Sequence, residues 1–309
     1  ALGFIGSRLT AHFLENDDYT IIISTRQNPE KIKDLPINNL SIIDLTQMND
    51  TEIGLLCEDL DSIIHLASLN EIDSVTYLKQ AIDVNIWETV RLHNIAISKK
   101  VSNFIYFSTA HVYNSPLVGS YNEDSKCLPA HPYSITHKAA EDFILSKRNN
   151  NVTNSVVIRL SNSFGYPAFD TNDRWTLLVN DICKQAVTKN SITLKGNGKQ
   201  TRNFICLKDV CNAVTDILNI DKNQLENGIL NLGSDQNLSI LKMAENVKER
   251  FDLLNDTDIE IILNENDTSK SEKFNFEIDK LEKLEIKLHN NFNEEIDGMI
   301  LFCANKFKK

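Results

Sequence analysis

The 309-residue sequence predicts an α/β fold: a doubly wound parallel sheet with a smaller C-terminal lobe. Three observations predict it. Short β-branched runs are apolar throughout rather than alternating, as strands covered on both faces are. Stretches of helical periodicity separate them, which favours parallel neighbours joined by crossovers. The chain also opens on a glycine turn that leads straight into a helical pattern.

In chain order, Gly3-Phe4-Ile5-Gly6-Ser7-Arg8-Leu9 leads into a helix ending near Glu15. Residues 19–24 form a strand, 40–43 a second one closed by Asp44-Leu45, and 62–67 a third. Residues 72–99 are long and amphipathic, hence one helix. A fourth strand covers 104–108. A helix over 133–148 groups Ala139, Ala140, Phe143 and Ile144, and 156–160 is the fifth strand. Past Leu160 the texture changes. Residues 161–165 read as a loop, 175–187 as a helix, 194–198 as a turn and 203–207 as a strand. From Ser234 the chain is polar and Asn-rich, with helical patterns at 241–251 and 295–302. The expected division is a cofactor domain over 1–160, to which 201–233 return, and a substrate lobe from 161–200 and 234–309.

Composition narrows the partners. A net charge of −11 repels nucleic acid and anionic lipid, and an anionic substrate then needs a local basic pocket. No apolar run reaches the roughly 18 residues of a membrane span. None of the six cysteines forms a C-x-x-C pair, so they read as reduced thiols of a cytoplasmic protein, with no metal site.

Gly3-x-x-Gly6 before a helix has the form of the back half of a dinucleotide turn. Backbone N–H groups at a helix start bind pyrophosphate, and glycine admits the close approach. Two glycines alone are weak evidence; the four further strands in order raise it. The strand and first glycine that should precede the turn are absent, so the chain is expected to be a fragment short by about ten residues, one strand plus a turn. The second-strand end reads Ser24-Thr25-Arg26, without the acidic residue that NAD enzymes use on the ribose hydroxyls. Arg26 favours the 2′-phosphate of NADP, with NAD as the alternative.

Several motifs together resemble the extended short-chain dehydrogenases of the NAD-dependent epimerase/dehydratase family. They are Gly3-Phe4-Ile5-Gly6, Asp44-Leu45, Ile64-His65-Leu66-Ala67, Asn85, the run from Phe107-Ser108-Thr109 to Tyr113, and Pro132-Tyr133. Arg159 to Gly165, Thr201-Arg202-Asn203-Phe204-Ile205 with Asp209, Asn231-Leu232-Gly233 and Asp279-Lys280-Leu281 continue the series. The resemblance spans nearly the whole chain. It implies a Rossmann domain, a nucleotide-sugar substrate and a set of roles. Gly3, Phe4, Ile5 and Gly6 would cradle pyrophosphate. Asp44 and Leu45 would meet adenine, Leu66, Ala67 and Ser68 would line the cofactor path, and Asn85 would lie near the nicotinamide ribose. Thr109 and Tyr133 occupy the family's catalytic positions, and Asn162 and Arg202 would hold the substrate's diphosphate. Relatives often dimerise through a helix bundle, so a homodimer is a candidate. His65 reads as a packing residue and Trp175 as core.

Hydride removal from a sugar carbinol needs a base for its hydroxyl proton, and a tyrosinate serves if its pKa falls from about 10 toward 7. The family places a Lys four residues after the Tyr, one helical turn along the same face, where it lowers that pKa and bonds the ribose. Here the run is Tyr133-Ser134-Ile135-Thr136-His137-Lys138, so the fourth position is His137. Either His137 replaces the Lys, or Lys138 swings in from about 100° around the helix, or the site is impaired. Family 4,6-dehydratases carry an Asp-Glu pair where this chain has Ala110-His111, which argues against 6-deoxygenation. His111 reads as a pocket-lining residue beside the substrate, and His131 stands close by in sequence.

The expected function is therefore NAD(P)-dependent redox chemistry on a nucleotide-diphosphate hexose, either C4 epimerisation or 4-keto reduction. Two rivals stand beside it: a non-catalytic dinucleotide-binding sensor or scaffold, which the missing Lys supports, and a reductase of small non-sugar carbonyls, against which Asn162 and Arg202 argue.

Overall fold

The computed structural model describes residues 2–25, 41–148, 152–169, 174–225, 227–264, 266–270 and 272–308. Helix α1 (Phe4–Leu14) starts at Gly3, and strands β1 (Ile22–Ser24) and β2 (Ser41–Ile43) pair in parallel. A second parallel ladder has the order β10 (Ile229–Leu232), β6 (Asn154–Leu160), β4 (Asn103–Thr109), β3 (Ser62–His65). β4 and β6 run in register from Asn103 opposite Asn154 to Thr109 opposite Leu160.

Helices cover both faces of this ladder, so its strands are apolar on both sides. On one face Ile105, Phe107, Val156 and Ile158 pack against Leu9 and Phe13 of α1 and against Val210 and Val214 of a later helix (Leu207–Leu218). On the other, Phe104, Tyr106 and Val157 meet Ile53 of α2 (Asp50–Cys57), Leu92, Ile95 and Ala96 of α3 (Thr89–Ser98), and Ala140 and Ile144 of α4 (Pro132–Ser146). The doubly wound α/β architecture expected from the sequence is the one observed.

The remaining elements build a second core. Val179, Ile182 and Cys183 of α5 (Leu178–Lys189) close on Met243 and Val247 of α7 (Ile240–Asn255) and on Ile296 and Met299 of α8 (Phe292–Phe307), with Phe164 and Phe204 between. The helix over Leu207–Leu218 is α6. Strands β7 (Asn162–Phe164), β9 (Thr201–Cys206) and β11 (Asn237–Ser239) form a small sheet of their own, while β5 (Gly119–Tyr121) pairs in parallel with β13 (Phe274–Phe276) and β8 (Ser191–Thr193) with β12 (Glu260–Ile262). Three expected starts move by two or three residues: the strand at 203–207 begins at Thr201 and gives way to α6 at Leu207, the strand at 19–24 begins only at Ile22, and the helix at 175–187 begins at Leu178.

Two element assignments differ in kind. Residues 161–165 are not a loop throughout, because Asn162–Phe164 pairs with β9. Gly165 follows with φ +143, and a Cβ there would collide with the Glu295 carboxylate, so only glycine fits. Residues 72–99 are not one α-helix. Asn70 caps a single turn (Asp73–Thr76), Tyr77 breaks it at φ −123 and ψ 58, a second turn covers Leu78–Ala81, and Ile82–Glu88 is π-helical before α3. The wider π-turn admits an extra residue, a feature often found beside sites. It turns Asn85 fully inward, where its Oδ1 accepts from Leu69 N–H at 2.7 Å and its Nδ2 donates to Thr136 Oγ1 at 3.0 Å.

Candidate active site

A cavity of about 1850 Å³ opens along the C-terminal edge of the parallel strands, as ligand crevices in such sheets do. Its inner end is an apolar slot between the two ladders, walled by Ile21, Ile23, Ile63 and Ile64. Its outer end is polar, with Ser68, Thr109, Tyr133, His137, Asn162 and Arg202 on the walls.

The start of α1 enters this cavity through Gly3, Phe4, Ile5 and Gly6. Gly3 makes no side-chain cap, no acidic residue occupies the first turn, and Ser7 is the first residue whose N–H finds a helical acceptor, Gly3 C=O at 2.8 Å. The N–H groups ahead of it, with the positive end of the helix dipole, remain for an anion. A Cβ on Gly3 would meet nothing within 4 Å, so open space faces the turn. These residues fit a dinucleotide pyrophosphate. Ser7 is committed elsewhere, donating to Phe4 C=O and accepting from Ala168 N–H. Arg8 leaves the cavity to pair with the buried Glu295 of α8 at 2.6 Å, beside the Tyr166 ring.

Strand β4 alternates, so Phe104, Tyr106 and Ser108 face α4 while Phe107 and Thr109 reach the cavity side. Thr109 Oγ1 accepts from His111 N–H at 3.2 Å, and Thr109 sits near enough to Tyr133 to favour the ionised form of its hydroxyl slightly. The ladder Ser108–Glu141–Arg159 locks α4 onto the sheet: Arg159 Nη2 reaches Glu141 at 2.8 Å and Ser108 donates to the same carboxylate at 2.5 Å, all three buried. Arg159 also lies over the Tyr113 ring. His131 caps α4, its Nδ1 accepting from Tyr133 N–H at 3.2 Å.

His137 is one turn along α4 from Tyr133, and their rings meet edge to face with centroids 4.5 Å apart. Its Nδ1 is 2.7 Å from the Tyr106 hydroxyl, and its Nε2 is buried with no hydrogen-bond partner among the described residues. Burial, with His65 adding a little, pulls the imidazole pKa down to about 3, so it is neutral. Lys138 points away into an ion pair with Asp142 on the outer side of the helix. Tyr133 therefore has no ammonium beside it. Burial and then Glu71 push its hydroxyl up to about 12, against smaller opposing effects of Arg174 and Thr109.

Glu71 and Arg174, paired at 3.0 Å, both line the cavity near Tyr133. No motif pointed to this pair, whose partners lie 103 residues apart. Burial works to raise the Glu71 pKa, but its backbone hydrogen bond and Arg174 hold it below the usual carboxylate range. His111 faces the same space, its pKa lowered by burial and by Arg202. Arg202 donates only to Gln200 Oε1, at 3.3 Å, with no carboxylate partner among the described residues, and burial lowers its pKa. Asn162 lines the cavity while its Nδ2 donates to Asn203 C=O at 2.9 Å.

The expected site residues thus converge with a few exceptions. Gly3, Phe4, Ile5, Gly6, Leu45, Leu66, Ala67, Ser68, Thr109, His111, Tyr133, His137, Asn162 and Arg202 all border one cavity. Asp44 does not; its carboxylate accepts from Thr46 N–H at 3.0 Å and caps a 3₁₀ turn. Asn85 is enclosed as described above. Arg26 lies outside the described residues. His65 bonds Thr89 Oγ1 at 2.9 Å, and Trp175 packs against Phe302 and Phe307.

Comparison with known proteins gives the family and the fold. The bovine dTDP-D-glucose 4,6-dehydratase is 27% identical over 270 residues, covering 84% of this chain and 72% of its own. The low-salt glycan biosynthesis protein Agl12 of Haloferax volcanii is 25% identical over 256 residues, 80% of this chain and 79% of its own. Among solved structures, the UDP-N-acetylglucosamine 4-epimerase of Methanobrevibacter ruminantium M1 superposes with a TM-score of 0.81 at 22% identity, covering 99% of this chain and 96% of its own. The UDP-glucuronic acid 4-epimerase of Bacillus cereus, in complex with NAD, gives 0.80 at 20%, covering 100% and 96%. At these identities the structures establish the fold. The sequence model of the NAD dependent epimerase/dehydratase family matches residues 1–233, and the chain, with its glycine turn, Tyr133 helix and parallel sheet, belongs to that family.

Proposed function

We propose that this protein binds a nicotinamide dinucleotide and a nucleotide-diphosphate sugar, and carries out C4 epimerisation or 4-keto reduction. The observation that carries the reading is the meeting of the uncapped α1 terminus, the Thr109–Tyr133–His137 wall and Arg202 in one cavity. Three of the four relatives named above, the bovine dehydratase and the two epimerases, are enzymes of dTDP- or UDP-sugars by their names.

In this reading the N–H groups of Phe4, Ile5 and Gly6 hold the pyrophosphate, and His137 Nε2 faces the nicotinamide ribose. The bound nicotinamide ring supplies the hydride acceptor or donor. Tyr133 carries the proton between its hydroxyl and the sugar O4, and Thr109 orients that hydroxyl. Arg202 and Asn162 take the substrate diphosphate, a guanidinium matching two phosphate oxygens. Ala110 and His111 supply no carboxyl acid for dehydration. The residues Ser24-Thr25-Arg26 contain no carboxylate to meet a ribose 2′-hydroxyl, which supports NADP over NAD. A homodimer through a second copy of this chain is supported by exposed apolar side chains on adjoining surfaces, Tyr77, Ile82 and Trp87 before α3 and Ile135 and Phe143 on α4.

Incubation of the protein with NDP-hexoses and their 4-keto forms tests the reading. Stoichiometric loss of NADPH absorbance marks a reductase, and isomer formation without net loss marks an epimerase. A second reading, a dinucleotide-binding sensor, is favoured by the Tyr133 hydroxyl being held at about 12. Tight NADPH binding without turnover of any keto-sugar selects it.

A further inference from the structure

Tyr106 has no place in the catalytic scheme, and its position on β4 is neither at the cavity nor in the apolar core alone. It is 1% exposed, and its ring lies between those of His65, 6.0 Å away at 24°, and His137, 5.8 Å away at 30°. Its hydroxyl meets one partner among the described residues, His137 Nδ1 at 2.7 Å. The other imidazole nitrogen, Nε2, is buried and unpartnered, on a residue that borders the cavity.

The two tautomers of a neutral His137 are not equivalent here. If Nδ1 carries the proton, it donates to the Tyr106 oxygen; the Tyr106 O–H is then left without an acceptor and the Nε2 lone pair without a donor. If Nε2 carries the proton, Tyr106 O–H donates to Nδ1, and one group, Nε2–H, awaits a partner. Buried polar groups without partners are costly, so the arrangement with one orphan prevails over that with two. Burial keeps Tyr106 protonated and His137 neutral, which leaves these two states as the choice.

We infer that Tyr106 is a positioning residue that holds His137 in the Nε2–H tautomer, presenting a fixed neutral donor to a ribose hydroxyl of the dinucleotide. The family's ammonium would serve the ribose and the tyrosine together; the Tyr106–His137 pair serves the ribose alone. The ribose acceptor rests on the reading of His137 given under Proposed function, whereas the tautomer does not.

The test uses the full chain with 15N-labelled histidine and long-range 1H–15N NMR at neutral pH. The expected His137 signals are a protonated Nε2 and an unprotonated Nδ1. In Tyr106→Phe, which keeps the ring and its packing, that preference is lost, and the dissociation constant for NADPH rises about three- to tenfold, the size of one neutral hydrogen bond. A wild-type spectrum with the proton on Nδ1 overturns the inference without any variant, and so does an unchanged tautomer in a folded Tyr106→Phe protein. Addition of NADPH should shift the Nε2 resonance. If it does not move, and His137→Ala binds NADPH as tightly as wild type, the ribose acceptor is refuted together with the function assigned to His137, while the tautomer is judged by the first two spectra.

Discussion

Restoring an ammonium next to Tyr133 should change the pH at which this site works. With a hydroxyl pKa of about 12, roughly one Tyr133 in 10⁴ is ionised at pH 8. In His137→Lys the new charge arises one helical turn away, on a residue whose present ring centroid is 4.5 Å from that of Tyr133. A unit charge about 5 Å from the phenolate at an effective dielectric near 20 stabilises it by about 3 kcal/mol, which is about two pKa units. Tyr133 then titrates near 10, and the ionised fraction at pH 8 rises about 100-fold. If proton transfer limits turnover, kcat at pH 8 rises by a comparable factor. Burial also lowers the pKa of the introduced amine, so the gain grows with pH only until that amine deprotonates and then disappears. The assay is kcat against pH from 6 to 11 for oxidation of an NDP-hexose by NADP+, the direction in which Tyr133 acts as base, with far-UV circular dichroism and NADP+ titration confirming a folded, cofactor-competent variant. A folded His137→Lys protein whose profile is superimposable on wild type would refute Tyr133 as the proton carrier.

Arg202→Ala should raise the KM for a nucleotide sugar at least about tenfold with a much smaller effect on kcat, since the guanidinium is assigned to diphosphate binding remote from the reacting carbon; an unchanged KM in steady-state assays would remove the nucleotide sugar from the proposal. Glu141→Ala should lower stability by roughly 3–5 kcal/mol, because Arg159 would be left buried without its carboxylate; urea unfolding measures this, and a loss below about 1 kcal/mol would show that solvent reaches the pair. His65 and His93 are held near pKa 4 and His137 near 3 by burial, all below the unfolded value of 6.5. Depressed histidine pKa values mean that protons favour the unfolded chain, so stability is full above pH 6.5 and falls as pH drops toward 4. Each imidazole contributes on the order of 1.4 kcal/mol per pH unit across that window. Unfolding free energies from pH 7 to 4.5 check the slope, and His93→Gln, whose ring nitrogen bonds Ser155 at 2.8 Å, should reduce it.

Much of this fold was written in local patterns. The apolar runs at Phe104–Phe107 and Val156–Ile158 fall in the sheet because no polar face is required of a strand covered on both sides. The α4 face was legible in part: of the expected group Ala139, Ala140, Phe143 and Ile144, Ala140 and Ile144 are buried against the sheet, whereas Phe143 faces solvent. The break at Tyr77 and the π-turn after it were not legible, since a period lengthened by a single residue over one or two turns leaves the apolar stripe of 72–99 almost unchanged. β7 was hidden by its polar composition, Asn162-Ser163, which is stabilised by pairing with a strand about 40 residues away. Tyr106 could have been found: it shares strand parity with Ser108, just as His137 and Glu141 share a helical face, so one pair implies the other. The Glu71–Arg174 pair could not, for nothing local specifies a contact across two lobes.

Arg202 and the start of α1 face the cavity of a molecule of net charge −11, and this sets how a nucleotide sugar arrives. At a distance the ligand meets repulsion from the whole surface; inside about one Debye length, near 10 Å at 0.1 M salt, it meets Arg202 and the free N–H groups of α1 instead. Salt weakens the distant repulsion more than the contact attraction. Capture should therefore quicken as ionic strength rises from low values, the reverse of an electrostatically steered encounter, and release should quicken too once the contacts themselves are screened. The ligand's approach and its residence would then respond to the same salt through different parts of the protein.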